Sequence, residues 1–199
     1  RALSSAAHDI KTPLVAIGGF TRLVQNHLDP ANPDRGKLEI VVRETRRLEN
    51  MVKDMLDFSK PLQIHAVPED INSIVLESLL IVESCAKEKG VEVEIERIPA
   101  SDVSPLAHST PVSVTFDPMR MKQAIENLLM NAIQASPEGA VVTVRTHCGR
   151  RGLVIEVIDR GPGLPKEKRE EVFSPFYTTK KEGTGLGLPI VRKIVDAHG

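Results

Sequence analysis

The sequence predicts an α+β protein in two parts: an N-terminal helical hairpin that forms a four-helix bundle with a second copy, then an α/β sandwich. Three observations carry this. Residues 1–62 read as two long helices with heptad-like apolar stripes. Past Pro61 and Pro68 the pattern changes to short alternating runs between helical ones. Hydrophobic residues make up 41% of the 199, enough for a core, yet no apolar run approaches the ~18 residues of a membrane span.

The first helix is expected over 2–28, with apolar residues at Leu3, Ala7, Ile10, Leu14, Ile17, Val24 and Leu28. Asp29-Pro30-Ala31-Asn32-Pro33 breaks it. The second, from about Gly36 to Ser59, has its seam at Leu38, Val42, Thr45, Leu48, Val52, Met55 and Ser59. One hairpin leaves two stripes uncovered, and pairing two hairpins buries both. A homodimer is therefore expected.

After the short linker, Asp70 can cap a helix that runs to about Lys89 and ends at Gly90. Val91, Val93 and Ile95 alternate with Glu92, Glu94 and Glu96, the signature of a half-buried strand. Residues 98–111, rich in Pro and Ser, read as a loop, and Val112, Val114 and Phe116 as a strand. Asp117-Pro118 opens a helix with a capping residue and Pro at its first position. Val141–Arg145 and Leu153–Ile158 form a hairpin turned at Cys148–Gly152, and a last helix starts near Pro189. These helices are expected on one face of the sheet.

Charge excludes some classes. Lys and Arg number 26 against 27 Asp and Glu, so no bulk positive charge exists to hold nucleic acid. Aromatics are too few for a base-stacking platform. The opening residues do not read as a signal peptide. Cys85 and Cys148 are read as two reduced core thiols. A cytoplasmic location, without membrane contact by this stretch, is the expectation.

His8 stands in Ala6-Ala7-His8-Asp9-Ile10-Lys11-Thr12-Pro13-Leu14. A nucleophilic histidine needs a neutral ring, an exposed nitrogen and a carboxylate for its other proton. Ala6 and Ala7 leave the ring open, and Asp9 supplies the carboxylate. Thr12 lies one turn on, on the same face, and Pro13 is expected to bend the helix there. A solvent-facing histidine on a coiled-coil helix is the bland alternative. His27, His65, His108, His147 and His198 lack such neighbours and read as surface or edge residues.

The helix from Pro118 carries an apolar stripe at Met121, Ile125, Leu128, Ala132 and Ala135, and Gln123, Asn127, Asn131 and Gln134 opposite. Asparagine is a poor helix former, so two of them four apart suggest a task. Carboxamide oxygens can ligate Mg²⁺ and their amines can donate to phosphate oxygens. Asp159 follows a strand and precedes Arg160-Gly161-Pro162-Gly163, where a carboxylate can accept from an exocyclic amine such as that of adenine. Gly183-Thr184-Gly185-Leu186-Gly187 leads into a helix, and backbone N–H groups there suit an anion. Between them, Phe173-Ser174-Pro175-Phe176-Tyr177-Thr178-Thr179-Lys180-Lys181 reads as a lid anchored by aromatics, with Lys180 directed to phosphates. Each motif alone also fits a polar stripe or an ordinary turn.

Together these residues resemble a sensor histidine kinase of two-component signalling, over nearly the whole chain. His8–Leu14 is similar to the family's H-box, Asn127–Ala132 to the N-box, Asp159–Gly163 to the G1 box, Phe173–Tyr177 to the F-box and Gly183–Gly187 to the G2 box, in the family's order. The Asn-Ala-Ile-Gln-Ala and Phe-Tyr-Thr-Thr-Lys forms are most similar to the nitrogen-regulation branch.

The resemblance implies a dimerisation and phosphoacceptor domain over 1–62 and an ATP-binding domain of the Bergerat type over 63–199. It implies ATP as phosphoryl donor, Mg²⁺ held by Asn131 with Asn127, and adenine read by Asp159. The remaining nucleotide contacts it implies are Gln134, Ala135, Gly161, Gly163, Leu164, Tyr177, Lys180, Gly183, Thr184, Gly185, Leu186 and Gly187. His8 would accept the phosphoryl group with Asp9 as base or orienter, and an aspartate of a response-regulator receiver would take it next. Thr12 would hold water for dephosphorylating that regulator.

Two departures stand out. Many members carry Lys or Arg where Gln134 stands, and Lys180 could substitute. The family also adds a β-hairpin after the last helix, so the expectation is that this C-terminal hairpin is missing here and that a sensor domain lies upstream. Hydrolytic ATPases of the same superfamily carry a Glu where Asn127 stands, which favours the kinase reading. A non-catalytic nucleotide-binding dimeric scaffold is the alternative, against which His8, Asp9 and Asn131 speak.

Overall fold

The computed structural model describes residues 2–97, 113–149, 152–180 and 183–199. They form two compact units, one of residues 1–61 with 175–186 and the other of residues 62–174 with 187–199.

The first unit is built on α1 (Ala2–His27) and α2 (Arg35–Ser59), which pack side by side along the hairpin. α1 runs on through Pro13. The turn closes locally: Asp29 accepts from the Ala31 N–H at 2.8 Å and Asn32 from that of Asp34 at 2.9 Å. Arg35 donates back to the carbonyls of Gln25 and Leu28, holding the end of α1 against the start of α2. Leu14 and Val52 are buried with Leu56 against them, and Thr45 is buried with its hydroxyl on the Val41 carbonyl. Ile10, Ile17 and Val24, spaced by seven, stay about half exposed, as does Leu48, while Phe20 is 69% exposed. The hairpin therefore covers part of its predicted seams and leaves an apolar stripe on its surface.

The second unit begins with a strand the sequence reading did not include, β1 (Val67–Asp70), paired antiparallel with β3 (Ser113–Phe116). Pro68 is tolerated because this two-stranded ribbon has only edges. α3 (Ile71–Lys89) starts at Asp70, whose carboxylate accepts from the Asn72 N–H. It stops at Gly90, which takes the left-handed conformation (φ +67) that glycine adopts without strain. β2 (Glu92–Arg97) runs parallel to β4 (Val141–Gly149), which pairs antiparallel with β5 (Gly152–Ile158), in the order β2-β4-β5. The hairpin strands reach further than the sequence suggested, to Gly149 and Gly152, and the expected loop at 98–111 lies outside the described residues.

α4 (Pro118–Ala135) and α3 lie together, and their apolar faces meet Val142 and Val144 of the middle strand. Ile71, Val75, Ile125, Leu129 and Ile133 are almost wholly withdrawn from solvent. Burial of each such side chain contributes about 1.5–3 kcal/mol. α5 (Gly187–His198) packs on α4. It begins two residues earlier than expected, so the last glycine of the glycine-rich motif is already helical and Pro189 sits in the first turn, where its missing N–H has no partner to lose.

Candidate functional site

The residues singled out by the sequence fall in both units. In the second, Asn127 and Asn131 share one face of α4, four residues apart and half-buried. Both are directed at the start of α5. A β-carbon added at Gly187 would lie 3.6 Å from the Asn131 amide nitrogen and 3.7 Å from Asn127 Oδ1. Two carboxamides thus converge where backbone comes close. Among the described residues no group of three or more His, Cys, Asp or Glu is placed to hold a metal ion. The fitting donors here are instead neutral amide oxygens, which suit a hard cation that keeps several of its waters, such as Mg²⁺. One turn beyond, Gln134 is exposed and Ala135 half-buried.

β5 delivers Asp159 just past its end, with the carboxylate exposed. Asp159 Oδ1 accepts from the Gly161 N–H at 2.7 Å, closing a turn over Arg160. Arg160 in turn donates its N–H to the Ser136 hydroxyl at 3.4 Å. Gly161 is needed for space: a β-carbon there would stand 2.8 Å from Asp159 Oδ1 and 3.0 Å from both the β-carbon and the carbonyl oxygen of Ala135. Ala135 and Asp159 are therefore held together through this glycine. Gly163 is left-handed (φ +73) and Leu164 is exposed.

In the first unit, residues 175–180 and 183–186 belong to a loop closed on itself. The Phe176 N–H donates to the Gly185 carbonyl at 3.0 Å. Gly185 is left-handed (φ +66), and any β-carbon on it would fall 2.5 Å from the Phe176 carbonyl carbon. Phe176 is itself left-handed (φ +67), uncommon and strained for a bulky residue. The Thr178 hydroxyl accepts from the Lys180 N–H at 3.1 Å, and the Gly183 N–H donates to the Lys180 carbonyl at 3.3 Å. Thr184 accepts from the Leu186 N–H and donates to Asp54 Oδ2 of α2 at 2.9 Å. Tyr177 and Lys180 are half-buried, and Leu186 is buried.

His8 and Asp9 lie on α1, and their side chains fall outside what the structure describes. Thr12 is exposed one turn on. Phe176 does not serve as the aromatic anchor expected of it, since it is 58% exposed. Phe173 does pack, under the Arg192 guanidinium 5.5 Å from its ring centre.

Three relationships were not legible in the sequence. Asp54 bears on Thr184 from 130 positions away. Burial pushes its carboxyl up, with Asp57 adding to this, against the Thr184 hydrogen bond and the Lys53 charge. His198, read as a surface or edge residue, is half-buried and accepts from the Asp117 backbone N–H. Asp117 does more than cap α4, since it also accepts from the His65 N–H. Burial pushes its carboxyl up, but the N–H groups of His65, Arg120 and Met119, with the Arg120 charge, outweigh this and hold it below the usual carboxylate range.

Residues 1–63 match the family model described as the His Kinase A (phospho-acceptor) domain, and residues 116–199 that of the histidine kinase-, DNA gyrase B- and HSP90-like ATPase. The chain is 31% identical over 196 residues to the sensor histidine kinase ZraS of Escherichia coli (strain K12), covering 98% of this chain and 40% of that one. It is 32% identical to the solved structure of the mycobacterial sensor histidine kinase MprB, covering 68% of this chain and 81% of that one with a TM-score of 0.55. The structure of the histidine kinase ThkA in complex with the response regulator TrrA is 30% identical, covers 98% of this chain and 54% of that one, and has a TM-score of 0.69. The chain spans about 40% of the length of the first curated relatives it matches.

Proposed function

Since this chain belongs to the family of sensor histidine kinases, we propose that it transfers the γ-phosphoryl group of ATP to His8 and then to an aspartate of a response-regulator receiver domain. The observation that carries the reading is the convergence of Asn127 and Asn131 on Gly187. It places two amides, able to accept or donate, against a glycine-led helix N-terminus suited to phosphates. We assign residues 1–62 to dimerisation and phosphoacceptance and 63–199 to ATP binding.

In this reading a neutral imidazole nitrogen of His8 attacks the γ-phosphorus, the bond to the β–γ bridging oxygen breaks, and ADP leaves. Asp9 takes or orients the proton on the other ring nitrogen. Asp159 accepts from the adenine amine, with Gly161 and Ala135 fixing its position. Asn131 and Asn127 would hold Mg²⁺, which when bound neutralises phosphate charge. Gly163, Leu164 and Gln134 complete this set, and Tyr177, Lys180 and Gly183–Gly187 supply the loop contacts. Thr12 would position water for removing phosphate from the regulator. Pairing of two hairpins is supported by the apolar stripe of Ile10, Ile17, Phe20 and Val24. Among the described residues no helix is long and apolar enough to cross a membrane. We assign the chain's action to the cytoplasm.

The test is incubation with γ-labelled ATP followed by acid or alkali. The label should survive alkali, be lost in acid, and vanish in His8→Gln while nucleotide still binds. Label retained in that variant would move the acceptor elsewhere.

A further inference from the structure

The Thr184 hydroxyl has one proton to give, and it is given to Asp54. The donor–acceptor distance is 2.9 Å, and the oxygen simultaneously accepts from the Leu186 N–H at 3.3 Å. A hydroxyl in this state has no proton left for a phosphate oxygen. The acceptor is also a carboxylate, which repels an approaching polyphosphate. Asp54 lies on α2, and Lys53 and Asp57 are the charged groups that bear on it. Thr184 stands inside the glycine-rich motif beside Gly185, which admits no side chain because a β-carbon there would come 2.5 Å from the Phe176 backbone, and Gly183, where one would fall 2.5 Å from the Thr178 hydroxyl. The loop therefore presents the Thr184 side chain in a narrowly defined way, and it is presented to Asp54.

We propose that Asp54 is an autoinhibitory latch that competes with the nucleotide phosphates for the Thr184 hydroxyl. This rests on the proposed nucleotide role of Thr184. Burial of the Asp54 carboxyl opposes its charge, while the Thr184 hydrogen bond favours it. Any displacement of α2 along its axis shifts the acceptor, so the contact ties the position of this helix to nucleotide affinity.

The experiment measures the affinity of the whole chain for a non-hydrolysable ATP analogue with Mg²⁺ by calorimetry. Asp54→Ala should tighten Kd by about tenfold, the worth of one hydrogen bond to a charged group. Asp54→Asn keeps an acceptor and should tighten it less. In a Thr184→Ala background the Asp54→Ala effect should disappear, while Thr184→Ser should preserve it. Neither Asp54 variant should melt below the parent chain, which separates the effect from unfolding. Unchanged or weaker affinity in Asp54→Ala, or equal tightening with Thr184 removed, overturns the latch. Binding by the parent chain with no response to Asp54→Ala defeats the latch alone. Absence of binding in the parent and in both Asp54 variants defeats the nucleotide reading as well.

Discussion

The backbone N–H of Asp117 donates to Nε2 of His198 at 3.0 Å, joining the start of α4 to the last turn of α5 across 81 positions of chain. The other ring nitrogen of His198 sits 2.8 Å from the Ile194 carbonyl, so it carries the hydrogen and Nε2 keeps its lone pair. Asp117 meanwhile accepts from the His65 N–H at 2.8 Å and the Arg120 N–H at 3.0 Å. One residue thereby joins the segment after the hairpin, the asparagine-bearing helix and the helix that follows the glycine-rich motif.

Asp117 should be an acid-labile support of its unit. Its folded carboxyl titrates below the ordinary range, so its contribution is present above the unfolded value of about 3.9 and is lost as pH falls through the folded one. Asp117→Ala is expected to cost about 2 kcal/mol at neutral pH, from the lost cap and the orphaned His65 N–H. Urea unfolding should show this cost at pH 7 and a smaller one below about pH 4. A cost independent of pH would mean that the side chain matters only for packing.

Gly161→Ala should separate nucleotide recognition from folding. The added carbon meets Asp159 Oδ1 at 2.8 Å and Ala135 at 3.0 Å, so Asp159 must move. A loss of about tenfold in adenine-nucleotide affinity is expected, on the order of one hydrogen bond. The melting temperature should shift little, because Asp159 is exposed. Equal affinity for the variant would remove Asp159 from the base-reading role.

Ile17→Asp should disrupt assembly. Ile17 is 49% exposed in a stripe with Ile10 and Val24 and contributes nothing to the buried contact of Leu14 with Val52. Sedimentation is expected to show a dimer for the parent chain and a monomer for the variant at tens of micromolar. A monomeric parent would mean that the stripe is covered by something else.

Thr12→Ala should keep most self-phosphorylation and lose most dephosphorylation of a phosphorylated receiver. The residue is exposed one turn past His8 and its hydroxyl can align water, whereas transfer from ATP has Asp9 to serve the imidazole. The rival role is to prepare the helix for Pro13. Parallel loss of both activities would assign Thr12 to structure.

What could be read from sequence was local. Asp70, Asp117 and Gly90 mark helix ends because caps act within three or four residues of themselves. Asn127 and Asn131 could be placed on one face because four residues make one helical turn. Their approach to Gly187 could not be read, since it depends on how α5 packs against α4. β1 was hidden for the same reason: Val67–Asp70 has little strand character of its own and exists by pairing with Ser113–Phe116. His198 carries no local signal, and its partner is a backbone N–H that any residue at 117 other than proline would supply.

The left-handed backbone of Phe176 bears on time as well as shape. Such a conformation costs a side-chain-bearing residue about 1–2 kcal/mol, and here a single N–H to Gly185 stands against that cost. The backbone at Phe176 is thus a shallow local minimum within a loop that the Thr178, Lys180 and Thr184 hydrogen bonds also hold. In deuterium its Phe176 amide should exchange well before those in the middle of α4, whose release requires the core around Leu129 and Ile133 to open. A residue free of this penalty, as in Phe176→Gly, would lengthen the dwell of the closed form and slow every step that has to wait for it to open.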